Sequence, residues 1–89
     1  VAKDRIGIHE TFLNDAIVQI QQHLAYTLNI KGSGSFVSTH ELLGVITEEY
    51  YELIEAAHRG NVTNVHGELL DIAAACIFGV ACIERGEVT

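Results

Sequence analysis

Glu49 and Glu52 are three residues apart, and so are Glu68 and Asp71. On an α-helix that spacing holds the two members of a pair within about 60° of each other, on one face. Their surroundings make the pairs unusual. At about 100° per residue, Leu42, Leu43, Val45, Ile46, Leu53, Ile54, Ala56 and Ala57 form an apolar stripe. Glu49 falls inside that arc and Glu52 at its edge, while Glu68 and Asp71 interrupt a segment otherwise apolar nearly all round. An ionised carboxylate buried without a partner is costly, and gathering four adds like-charge repulsion. The basic residues are badly placed to neutralise them: Lys3, Arg5 and Lys31 lie off these segments, and Arg59 and Arg85 sit at their ends. A compact set of hard oxygen donors suits Mg²⁺, which leaves octahedral positions open for water and substrate phosphate. Such a site supports attack of a metal-bound water on a phosphate chain.

The elements that must position these acids read as three long helices. The chain has no proline, and its punctuation falls at Lys31-Gly-Ser-Gly-Ser35 and Arg59-Gly-Asn61. The first helix is predicted over residues 9 to 29, with Leu13, Ile17, Ile20, Leu24 and Leu28 on one stripe and Gln19 among the residues turned away from it. The second starts at Ser38 or Thr39, where Ser38 and Glu41 have the form of a capping box, and ends at Gly60. The third starts between Thr63 and His66 and stops at Gly86. The Gly-Ser segment lacks the following Lys-Ser or Lys-Thr pair of a phosphate-binding loop and reads as a connector. Small residues Ala75, Gly79 and Cys82 continue the stripe of Glu68 and Asp71, which suits either a trough over the carboxylates or close helix packing.

Composition narrows the class. The 89 residues make one domain, residues 1–89, and 48% are apolar. A chain this short buries only about 60 to 65% of its unfolded surface when folded alone, which predicts self-association. The net charge of −7 and five scattered basic residues exclude an electrostatic grip on nucleic acid or an anionic membrane. The longest apolar run, residues 72 to 83, is 12 residues, short of the roughly 20 that span a bilayer, and reads as a buried helix. Cys76 and Cys82 are six apart, which on a helix turns them about 240° away from each other, so the two read as core thiols of a reduced, cytoplasmic protein.

With both pairs in view, Glu48-Glu-Tyr-Tyr-Glu52, then 15 residues, then Glu68-Leu-Leu-Asp71, resembles the EExxE and ExxD motifs of the MazG-like nucleotide pyrophosphohydrolases, the all-α NTP pyrophosphatase superfamily. The likeness extends from His40 to Ala75, a little over a third of the chain. The resemblance implies Mg²⁺-dependent hydrolysis of a nucleoside triphosphate to monophosphate and pyrophosphate, with Mn²⁺ as a substitute ion. It further implies metal ligation by Glu49, Glu52, Glu68 and Asp71. Glu48, on the polar side with Glu41 and Glu55, becomes a further metal contact or the base for the attacking water. A helical bundle completed by dimerisation, or going on to a tetramer, is the implied fold. The family's basic or amide residues after ExxD are missing here, which leaves Arg59, Lys31 or a second subunit to hold phosphate. Alternatives are a phosphoribosyl-ATP pyrophosphatase-like enzyme and a catalytically silent helical nucleotide- or metal-binding or dimerisation module.

The five histidines form no Glu-x-x-His pair of the di-iron type. His40, His58 and His66 read as surface or helix-end residues, and His9 and His23, which flank the apolar stripe of the first helix, as polar edges in preference to the lining of a base pocket. Tyr26, Phe36, Tyr50 and Tyr51 are the rings available to stack on a base, with Tyr50 directed by its angle to the core and Tyr51 to solvent.

Overall fold

A computed structural model describes residues 4–89, and Lys3 lies outside the described residues. The described chain is all-helical, with α1 at Glu10–Lys31, α2 at Thr39–His58 and α3 at Val62–Arg85. α3 is central: α1 and α2 each pack on it and not on each other.

Caps explain where the helices differ from the expected bounds. The His9 ring, not a helical residue, opens α1 by accepting from the backbone N–H of Thr11 at 3.1 Å. α1 runs on to Lys31 and stops at Gly32, whose φ of 86° lies in the region that favours glycine. Ser38 caps α2 as expected, its hydroxyl accepting from Glu41 N at 3.1 Å, while the Glu41 carboxylate reaches back to Val37 N at 3.1 Å. α2 ends two residues before Gly60, and Asn61 already caps α3 by accepting from Asn64 N at 3.0 Å. The reversal therefore takes only three residues, closed by a bond from Asn61 N to Ala56 O at 3.1 Å.

The single chain leaves much of its apolar surface open. Ala56, Ala74 and Cys82 are its only buried apolar side chains among the described residues. Several sequence expectations fail for that reason. Cys76 is exposed, so only Cys82 is a core thiol. Tyr50 is 54% exposed, because among the described residues no element covers that side of α2. α3 is not buried all round, since α1 and α2 leave Leu69, Ile77, Val80 and Ile83 uncovered. By length and composition α3 is apolar enough to cross a membrane, although its apolar run is shorter. Of the two expectations for the small stripe, close packing holds at Gly79: a Cβ there would overlap Leu42 Cδ1. Gln19 does not turn away but accepts from His66 Nε2 of α3 at 3.0 Å.

Candidate metal centre

The two acidic pairs lie symmetrically about the α2–α3 turn. Glu49 is eleven residues before Gly60 and Asp71 eleven after, while Glu52 and Glu68 are each eight away. Folding α3 back antiparallel on α2 at that turn brings Glu49 beside Asp71 and Glu52 beside Glu68. One oxygen from each of the four carboxylates lies within 4.8 Å of all the others. Glu49, Glu68 and Asp71 are half-buried, and Glu52 is exposed.

The cluster is electrostatically unsatisfied. Glu49 Oε2 and Glu68 Oε2 are shielded from solvent without any hydrogen-bond partner. Burial pushes the Glu49 carboxyl above its ordinary range, the nearby Asp71 and Glu52 push it further, and Lys31 draws it back. Burial likewise pushes Glu68 up to about 7, followed by the influence of Glu52. Orphaned oxygens among crowded acids are what a hard divalent cation would satisfy, so the donor set fits Mg²⁺ or Mn²⁺.

Glu48 stands apart from the converging four. It is exposed, one residue along α2 from Glu49.

α1 supplies what spacing along the acidic helices did not reveal. His23 Nε2 donates to Asp71 Oδ1 at 2.5 Å, joining residues 48 positions apart. His23 is thus more than a polar edge; only knowledge of how α1 docks on α3 would have found the contact.

Beside the acids, in the gap between α1 and α2 above α3, lies a cavity of about 250 Å³. Glu49 and Asp71 form one part of its wall, and Leu24, Leu28, Val45 and Ala75 line much of the rest. Phe36 and Phe78 also line it and meet edge to face, 5.4 Å between ring centres. The Gly-Ser segment is more than a connector, because Gly32 and Gly34 contribute wall. Of the residues considered for phosphate, Lys31 lines this cavity, whereas Arg59 pairs with Glu55 at 3.3 Å; Arg85, at the far end of α3, pairs with Glu87 at 3.5 Å. Phe36, not Tyr26, Tyr50 or Tyr51, is the ring of the sequence candidates that faces the cavity.

No family model, curated protein or solved structure matches the chain.

Proposed function

We propose that the protein is a Mg²⁺-dependent nucleoside triphosphate pyrophosphohydrolase of the MazG-like kind, releasing pyrophosphate and leaving the nucleoside monophosphate. The supporting observation is the convergence of Glu49, Glu52, Glu68 and Asp71, with two shielded carboxylate oxygens left unpartnered. These four residues would hold the metal. A bound divalent ion offsets polyphosphate charge and makes a coordinated water more acidic.

The chain's own groups complete the reading. His23 holds Asp71 in one orientation, as outer partners of metal ligands do. Lys31 offers a positive charge at the cavity wall near Glu49, suited to phosphate oxygens. Glu48, exposed beside Glu49, is the acid proposed to orient the attacking water. Clearing unwanted nucleotides in a reducing cytoplasm is the role this chemistry suits, and both thiols are free.

The active form is proposed to be a homodimer or a tetramer. The single chain exposes 6826 Å², against about 5,100 Å² expected for a monomer of this size. The excess is about twice the roughly 800 Å² that each partner contributes to a standard interface. A second copy, not a bilayer, is the proposed cover for α3, since Glu68 and Asp71 on that helix belong to the acidic cluster.

One observation favours a silent binding module instead: among the described residues, Lys31 is the sole Lys or Arg lining the cavity. Pyrophosphate release from a panel of ribo- and deoxyribonucleoside triphosphates and phosphoribosyl-ATP, with Mg²⁺, separates the two. Turnover that disappears in Glu49→Gln is the expected result. Nucleotide binding without turnover of any compound would overturn the hydrolase reading.

A further inference from the structure

The cavity beside the acidic cluster has a chemistry that bears on which nucleotides the protein accepts. At about 250 Å³ it is smaller than the roughly 300 to 1,000 Å³ of pockets that enclose a whole drug-sized ligand. It suits part of a nucleotide. Its acidic end is where a metal-held phosphate chain would lie, which leaves the apolar end, with Phe36 and Phe78, for a flat ring.

Hydrogen-bonding side chains at that apolar end are few. The polar residues lining the cavity are His23, Thr27, Lys31, Glu49 and Asp71. His23 is taken up by Asp71, Glu49 and Asp71 belong to the acidic set, and Lys31 acts on Glu49. Thr27 remains. A hydroxyl both donates and accepts, so it serves an amino and an oxo substituent equally well. The lining has no Asn, Gln or Arg that could read a base edge with two fixed bonds.

The geometry points to the cavity between α1 and α2 as a nucleobase pocket that selects a planar heterocycle by apolar contact and stacking, with little discrimination among bases. This inference rests on the hydrolase reading for the position of the phosphates. Apolar pockets separate related ligands by only about 10- to 200-fold, whereas sites built to hydrogen-bond a substrate group reach about 10⁴ or more.

Neutral nucleosides test the pocket without the phosphate and the metal. Thymidine, cytidine, adenosine and guanosine are titrated into the full chain without divalent cation, and the Phe36, Phe78 and Thr27 resonances are followed by NMR. All four nucleosides should shift these signals, with dissociation constants spread by less than about 200-fold. Phe36→Ala should weaken each by about tenfold. Glu52→Gln, in the acidic cluster but not in the cavity wall, should leave nucleoside binding unchanged while abolishing pyrophosphate release. A preference of 10⁴ for one base, shifts confined to other residues, or no shifts at all in the wild-type chain would overturn the inference. Pyrophosphate release without cavity shifts removes the pocket and keeps the hydrolase; cavity shifts without release from any triphosphate do the reverse.

Discussion

His23 Nε2 sits 2.5 Å from Asp71 Oδ1, tying α1 to the helix that carries half of the acidic cluster. The bond engages one oxygen of Asp71 and fixes where the carboxylate points. Removing such an outer partner typically costs about 10- to 100-fold in metal affinity or activity. His23→Ala should therefore raise the Mg²⁺ concentration needed for half-maximal pyrophosphate release by about that factor, and His23→Gln should recover part of it. Mn²⁺ binding followed by electron paramagnetic resonance gives an independent readout. Unchanged affinity in His23→Ala would reduce the contact to a helix-docking bond.

Glu68 carries a consequence for stability against pH. Its carboxyl is raised from 4.5 to about 7, chiefly by burial and then by Glu52. The folded chain thus keeps a proton that the unfolded chain has already lost, so stability falls as pH climbs from about 4.5 through about 7. Glu49 shifts in the same direction. Metal-free protein should melt at a higher temperature at about pH 5 than at about pH 8, and Glu68→Gln should flatten the difference. Added Mg²⁺ should raise the melting temperature at pH 8 far more than at pH 5, because only ionised carboxylates bind it well. A metal-free melting temperature that rises steadily over this range would contradict crowding of the acids.

The acidic cluster was legible in the sequence because its geometry is local. Two i, i+3 pairs placed equally far from Gly60 must meet once the chain reverses there. The helices were legible for the same reason, through periodicity and the caps at Ser38 and Gly86. Lys31 and Phe36 stood among several sequence candidates for phosphate and base, but which candidates gather at the site was not legible, nor were the His23–Asp71 contact and the wall of Gly32 and Gly34, because these depend on α1 docking across α3, a contact between distant parts of the chain. Tyr50 and Cys76 failed differently. Helical angle says which residues share a face, but not whether the chain has another element to cover it.

Two glycines in helix interiors should respond differently to a side chain. Gly44 has open space where a Cβ would go, so Gly44→Ala gains helix propensity and should stabilise by about 0.5 to 1 kcal/mol. At Gly79 the Leu42 side chain occupies that space. Leu42 can shift to admit one methyl, so Gly79→Ala should be close to neutral. Gly79→Val overfills the contact and should cost about 1 to 3 kcal/mol. Urea unfolding of the three variants checks the order, and a stabilising Gly79→Val would show that α2 and α3 are not packed closely there.

The uncovered side of α3 predicts how two copies meet. Leu69, Ala73, Cys76, Val80 and Ile83 follow spacings of four, three, four and three, a seam within about 80° of arc opposite Asp71, Ala75 and Phe78. All but Ala73 are exposed, Val80 by 56% and Ile83 by 54%. The seam is nearly unchanged when reversed about Cys76, which suits a two-fold pairing of antiparallel α3 helices centred there. Mild oxidation should then join Cys76 of one copy to Cys76 of the other, giving a covalent dimer that Cys76→Ser prevents and Cys82→Ser does not. Val80→Asp should shift sedimentation toward the monomer by burying a charge in the seam, while Glu84→Gln, off its centre, should not. A dimer that survives Val80→Asp and resists Cys76 cross-linking would place the contact on another face, such as the exposed Leu13 and Ile17 of α1.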